Sequence, residues 1–261
     1  MPWTLAHPAA VVPLRCATPK YLDFAALVIG SMTPDVGYYI DDSRLSTFAH
    51  TFRGSFGYDL LPGFALYALF ILSRTPVVFI LPMPHRGVLA PMCSRPALRS
   101  GAHVLVIALS LLLGAWTHIA WDAFTHKTGW VVQEVPVLRH IAVSTGVANL
   151  AGYVVLQHLS SLVGVLILAF AYQRWLVRQN PVPTKEPVPE RWRYLLCGTL
   201  LAASAGVALI LSVHEQSPLG GLRALRLFVF SVAVNLLAVA VPIVVLVSTV
   251  AYAFRRDRAS M

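Results

Sequence analysis

The sequence is poor in charge. Only 12% of its 261 residues are Asp, Glu, Lys or Arg, and 57% are hydrophobic, against about 25% and roughly 45–50% in an ordinary globular chain. That balance excludes a disordered protein, which combines high charge with few apolar side chains. It also argues against a water-soluble globule, whose single core has too little volume for so many apolar residues; lipid accepts them. Acidic residues are the scarcest, 11 against 20 Lys and Arg, giving a net charge of +9. A nucleic-acid binder would gather such charge on one soluble face. Here the basic residues punctuate apolar runs, as at the cytoplasmic ends of membrane helices, so a lipid bilayer is the expected partner and nucleic acid is not. Cysteine is rare as well. Cys16, Cys93 and Cys197 are far apart with no CxxC, which excludes a disulfide framework and a thiolate metal site. The first residues hold no basic stretch leading into an apolar core, and Pro2, Pro8 and Pro13 interrupt them. A cleavable signal peptide is therefore not expected, and the first membrane helix would serve for export. No internal repeat is visible.

What is present is a set of five long apolar stretches, at residues 62–82, 101–121, 148–172, 194–213 and 226–254. A helix needs ~20 residues to cross the hydrocarbon layer. The expected fold is all-α: a polytopic membrane bundle of about five transmembrane helices over residues 61–261, preceded by a cap of short helices and loops over residues 1–60. The cap holds only short apolar segments, such as 24–29, but five of the seven Asp residues: Asp23, Asp35, Asp41, Asp42 and Asp59. Pro76 makes the first stretch the weakest. Residues 173–193 are charged and Pro-rich and read as irregular; Gly220 and Gly221 break the last connector. Loops 83–100 and 173–193 and the C-terminal tail carry eleven Lys and Arg, including Arg86, Arg95, Arg99, Lys185 and Arg193. The longer remainder outside the spans carries eight, Lys20 and Arg223 among them. The denser set is expected on the cytoplasmic side, leaving the cap and loop 122–147 outside.

The most informative stretch is GAWTHIAWDAFTH, in which His118, Asp122 and His126 stand four residues apart. On a helix they fall within about 80° of arc, a single stripe. Two imidazoles and a carboxylate on one stripe suit a divalent metal such as zinc; Asp122 serves equally as a carboxylate that orients a histidine. Ionisable groups at the end of a membrane helix are costly and tend to be functional, although a polar helix end satisfied by water is the plain alternative. From the cap come His7, Asp35, His50 and Asp59, all expected on the same membrane side. Each has a bland reading: an interfacial His, a turn residue after Pro34, a helix N-cap for Asp59. His140 and Glu134 are possible additional ligands. His103, at the far end of the helix that carries His118, cannot join them, and Gln157-His158 is a mid-span polar pair that calls for a buried partner.

The segments HPAAVVPL, GSMTPD, HTFRGSFGYDLLPG and GAWTHIAWDAFTH resemble the signature segments of a bacterial membrane family known only as domain-of-unknown-function family 4184. The resemblance implies a bacterial cell membrane and no activity. More distantly, the order His7, Asp35, His50, His118, Asp122, His126 is similar to the ligand order of zinc-dependent phospholipases C and of membrane-bound metal-dependent hydrolases. In the soluble enzymes an HxxxE segment completes a multi-zinc cluster; here Ser144 follows His140 at the fourth position, which implies a one- or two-metal site. Two functions are compatible with these residues. One is metal-dependent hydrolysis of a phosphoester such as a phospholipid headgroup, with His7, Asp35, His50, Asp59, His118, Asp122 and His126 as metal ligands and Asp35 also as catalytic base. The other is a non-enzymatic, metal-stabilised scaffold or ion-handling membrane protein.

Overall fold

The computed structural model describes residues 3–18, 21–40, 43–94, 100–144, 149–182, 188–214 and 221–259. Lys20, Asp41, Asp42, Arg95, Arg99, Lys185 and Gly220 lie outside the described residues. Five helices are long and apolar enough to cross a membrane: Phe52–Ile80, Gly101–Glu134, Gly152–Val177, Glu190–His214 and Leu227–Arg255, the first to fifth spans. The chain is an integral membrane protein. Helices suit this composition because lipid offers no partner to a backbone N–H or C=O, so each must be satisfied within its own segment. Pro76 and Pro242 sit inside helices that continue past them. Outward-facing Leu72, Leu105, Phe170 and Ile210 are largely exposed, as lipid-facing side chains are.

Where residues 83–100 read as a loop, they hold a helix, His85–Cys93. The second span closes on a short helix, Trp130–Glu134, and the connector after it opens with another, Pro136–Arg139. That connector ends in an antiparallel hairpin of Ile141–Ser144 with Asn149–Ala151, pairing Val143 with Leu150. This hairpin is the only sheet among the described residues. Such elements are too short to register in a membrane-length hydropathy reading.

The chain forms two compact units, residues 1–67 with 98–172, and residues 68–97 with 173–261. In the first, the helix Phe24–Gly30 lies backbone to backbone against the second span. A Cβ on Gly30 would stand 2.1 Å from the Leu111 carbonyl oxygen, and one on Gly114 would stand 2.3 Å from that of Leu27. Only glycine permits such an approach. Asp23 starts the helix: its carboxylate accepts from Ala26 N at 2.9 Å, and its own N–H donates to Ser110 Oγ at 2.9 Å. Ala26, Leu27, Ile107, Leu111 and Ala115 form the core of this seam. The third span braces the N-terminal segment, with Trp3 N donating to Ser161 Oγ at 3.2 Å and Trp121 Nε1 to Ser160 Oγ at 3.1 Å.

In the second unit, Arg86 Nη2 meets Glu190 Oε1 at 2.5 Å, Met83 N donates to Glu190 Oε2 at 3.0 Å, and Val182 N donates to Gly87 O at 3.1 Å. Arg193 donates to the Phe79 carbonyl. The guanidinium groups of Arg193 and Arg255 lie over the Phe79 ring at 5.0 and 5.2 Å. Residues of both basic loops and of the C-terminal tail thus gather at one end of this unit.

Candidate metal centre

Four short or long helical elements deliver the polar residues of the first unit to one place. The 3-10 helix Thr4–Val11 carries His7, the 3-10 turn Thr33–Asp35 carries Asp35, the helix Ser43–Ala49 leads into His50, and the second span carries His118 and Asp122. His126 ends the helix Gly101–Thr125 within that span, where the backbone turns extended. Four of these side chains are almost wholly buried: His7 is 1% exposed, Asp35 and His118 0%, Asp122 6%.

The orientation of two imidazoles is decided by backbone carbonyls. His50 Nδ1 lies 2.7 Å from Ser46 O, and His118 Nδ1 lies 2.8 Å from Ser31 O. A carbonyl only accepts, so both rings carry a proton on Nδ1, which leaves each Nε2 to take up a further proton or a metal ion. The two Nε2 atoms face each other at 3.3 Å. Two such nitrogens that close need a cation between them, a proton or a metal ion.

The carboxylates complete the arrangement. His50 Nε2 is 3.4 Å from both Asp35 Oδ1 and Asp122 Oδ2, and His118 Nε2 is 3.6 and 3.4 Å from the same two oxygens. Donor atoms ~2.0–2.2 Å from a tetrahedral ion stand roughly 3.3–3.6 Å from one another. The five separations therefore have the lengths of tetrahedron edges. Two overlapping triples satisfy ligand spacing, His7–Asp35–His118 and His50–His118–Asp122. His118 belongs to both, and its single bare nitrogen takes one ion, so the triples describe one centre with a choice of partners.

Around this quartet the remaining candidates differ. His7 stacks on His118, ring centroids 3.6 Å apart, with its Nε2 3.7 Å from Asp122 Oδ1. Among the described residues neither of its ring nitrogens has a hydrogen-bond partner. His126 Nδ1 is 3.3 Å from Asp122 Oδ2. Asp59 ends a π-helical turn, Ser55–Asp59, is 1% exposed, and among the described residues has no hydrogen bond to either carboxyl oxygen; the charges of His118, His50 and Asp35 act on it. π-turns re-aim a side chain and are frequent at functional sites. Asp59 is thus not the N-cap considered above. His140 and Glu134 are exposed and lie in neither triple. His103 pairs with Asp23 at 3.6 Å instead. Of the mid-span pair, Gln157 is buried and His158 exposed.

Burial and the neighbouring His118 push the His7 imidazole down to about 3, which keeps it neutral and a competent ligand at pH 7. Burial alone would raise Asp35; His118 and His50 outweigh it and hold the carboxyl below its ordinary value. Burial works against charge on His50, but hydrogen bonding with Asp122 and Asp35 prevails and pushes it up to about 11. In the absence of a metal ion a proton on His50 therefore supplies the positive charge the two carboxylates demand.

Several supporting residues carry no sequence signal. Thr4 Oγ1 donates to Asp35 Oδ2 at 2.5 Å and accepts from Tyr39 O–H at 2.9 Å, which turns Asp35 Oδ1 toward the quartet. Ser31 and Ser46 act through their carbonyls, which any residue has. The glycine seam is the exception, because Gly114 stands one helical turn before His118 and its close contact with Gly30 sets the Ser31 carbonyl beside that imidazole; small residues one turn apart are a readable sign of helix contact.

A membrane helical bundle with a buried His/Asp cluster at the end of one span is the class of protein these features define. The family model "Domain of unknown function (DUF4184)" matches residues 1–254, and the chain belongs to that family. No curated protein and no solved structure matches the chain significantly.

Proposed function

We propose that this chain binds a divalent cation, zinc or one of similar preference, through His50, His118, Asp35 and Asp122, and that it is a metal-dependent hydrolase of phosphoesters such as lipid headgroups. The observation that carries the metal reading is the pair of Nε2 atoms 3.3 Å apart, each with its other nitrogen committed to a carbonyl and each within 3.6 Å of the same two carboxylate oxygens. Such outer partners are what fix a metal-binding histidine in its tautomer and direction. His7, His126 and Asp59 border the quartet and complete the coordination or hold a second ion.

The hydrolytic reading rests on access and on ligand chemistry. The side chains of His50 and His126 are 18% and 24% exposed, so the centre opens along that edge rather than being sealed by protein, as a purely structural site is. A divalent ion in such a setting supplies a Lewis acid and brings the pKa of a bound water toward ~7. Asp35, held by Thr4 on one oxygen and open on the other, is ligand or proton acceptor; Arg53, exposed three residues after His50, is suited to steadying an anion, whereas Thr125 is buried and donates to Trp121 O at 3.2 Å. The similarity of the ligand order to zinc-dependent phospholipases C favours a phosphoester. From the density of Lys and Arg in loops 83–100 and 173–193 we infer that the centre lies on the extracytoplasmic face of a bacterial cell membrane.

Purified, chelator-free protein is expected to contain about one equivalent of zinc or a similar ion, and His118→Ala to lose most of it. Added metal should raise the melting temperature of wild type, since an ion at 100 times its Kd stabilises the native state by ~2.7 kcal/mol. A panel of phospholipid and phosphodiester substrates is the activity arm. Metal-free wild type that gains no stability from zinc would remove the centre. Metal bound tightly with no turnover of any substrate would leave the alternative, a metal-stabilised scaffold or ion-handling protein.

A further inference from the structure

The segment around His50 has an unusual outer surface. Phe48, Phe52, Phe56 and Tyr58 are 46, 60, 51 and 47% exposed. Rings this large, exposed singly, would be unremarkable. These touch one another. Phe52 stacks on Trp116 at 5.1 Å and meets Phe56 at 5.4 Å, Phe56 meets Trp116 at 6.1 Å, and Phe48 meets Tyr58 at 4.9 Å. The result is an aromatic face of Phe52, Phe56 and Trp116, built from the stretch just after His50 and the second span two residues before His118, with Phe48 and Tyr58 as a second pair. Trp116 is locked in place, its Nε1 donating to Ser55 Oγ at 3.0 Å.

Beside this face is a cleft of about 390 Å³ lined by Arg44, Thr47, Phe48 and Thr51. Its lining joins a cationic residue, Arg44, to an aromatic one, Phe48; the Thr51 hydroxyl donates to Phe48 O at 2.7 Å and accepts from Gly54 N at 3.0 Å. It borders the helix Ser43–Ala49, whose Ser46 carbonyl fixes His50. A second exposed cation, Arg53, lies within the aromatic stretch. A guanidinium suits a phosphate, and contiguous exposed rings at the start of a span sit at headgroup depth, where acyl chains begin. One molecule that fits both halves is an anionic phospholipid.

We infer that the cleft at Arg44, Thr47, Phe48 and Thr51, with the aromatic face of Phe52, Phe56 and Trp116, docks an anionic phospholipid from the bilayer and presents its phosphate to the edge of the metal centre at His50. This deepens the proposed function, on which it rests for the chemistry. The docking itself requires no metal, so the two fail separately. A soluble phosphoester would make no use of the exposed rings, and a lipid without anionic charge would make no use of the positive charge of Arg44 and Arg53.

The test uses the full chain in nanodiscs of zwitterionic phosphatidylcholine, doped with a small mole fraction of phosphatidic acid or phosphatidylglycerol carrying brominated acyl chains. Bromine quenches tryptophan on contact, and the difference between wild type and Trp116→Phe isolates the Trp116 signal. The expected result is quenching that corresponds to enrichment of the anionic lipid about fivefold or more over its mole fraction, the effect of one arginine near an anionic headgroup. That enrichment should fall to the statistical level in Arg44→Ala/Arg53→Ala, and should survive in His118→Ala, whose metal content is measured in parallel. Quenching at the statistical level in wild type overturns the inference, as it would if the face were covered by a partner protein. So does enrichment that is indifferent to both arginines. Metal-free wild type that still enriches the lipid would sink the metal reading and leave the docking surface standing.

Discussion

At the scale of single residues, the question is what Asp35 does. Its Oδ2 accepts from Thr4 at 2.5 Å while Oδ1 faces two imidazole nitrogens at 3.4 and 3.6 Å. An amide in its place keeps an oxygen acceptor but loses the charge. If Asp35 is chiefly the proton acceptor, Asp35→Asn should retain metal while phosphoester turnover falls ~10²–10⁴-fold, the usual weight of a general base. If it is chiefly a ligand, metal content and turnover should fall together; parallel metal analysis and kinetics distinguish the two. Thr4→Val addresses its support. It removes the hydroxyl while keeping the volume, and should weaken metal affinity about 10–100-fold, as loss of an outer partner does, measured by competition with a chelating dye. Retention of wild-type affinity would show that Thr4 does not aim Asp35. The i, i+4 spacing of His118 and Asp122 was legible in the sequence because a helix turns spacing directly into direction. Thr4 and Tyr39 were not, because nothing local tells a hydroxyl which distant carboxylate it will meet.

At the scale of elements, the centre depends on one helix contact. The seam between Phe24–Gly30 and the second span leaves no room for a Cβ on Gly114, whose nearest neighbours would be backbone atoms of Leu27, Ser31 and Gly30 at 2.3, 2.6 and 2.9 Å. Backbone cannot rotate aside as a side chain can. Gly114→Ala should therefore cost about 1–3 kcal/mol, the usual penalty of overpacking, and should lower metal affinity as well by moving the Ser31 carbonyl from His118. Gly57→Ala is the contrasting case: a Cβ there meets nothing within 4 Å, and Gly to Ala in a helical segment is neutral or gains about 0.5–1 kcal/mol. Thermal melts in detergent of both variants check the opposite signs, and equal destabilisation would refute the seam argument. The short apolar segment at 24–29 was readable as a helix that cannot span. Its partner was not, since apolar length says nothing about which face meets which glycine. The π-turn before Leu60 was equally hidden, because it differs from an α-turn by one residue of backbone and has no composition of its own.

At the scale of the whole molecule, the charge is divided between the two units. Residues 68–97 and 173–261 hold 13 of the 20 Lys and Arg and 4 of the 11 Asp and Glu, leaving residues 1–67 and 98–172 balanced at 7 each. The five spans were legible because a run of ~20 apolar residues has few alternatives to a membrane helix. The pairing of segments within each unit was not, since it is set by single contacts such as Arg86 with Glu190. Those contacts put the two basic loops at one end of their unit, and density of Lys and Arg near span ends is what retains a loop in the cytoplasm. With five spans and the basic loops retained inside, position 134, at the end of the second span, is expected outside, and position 180, after the third, inside. In a chain whose three cysteines are replaced by serine, Glu134→Cys should react with a membrane-impermeant maleimide on intact cells, and Asn180→Cys should react only after permeabilisation. Both positions are accessible enough to label, Glu134 being exposed at the end of a short helix and Asn180 exposed beyond the third span. Labelling in the reverse pattern would move the His/Asp centre to the cytoplasmic face, where its substrate would have to come from the inner leaflet. Labelling of both from outside would break the count of spans itself.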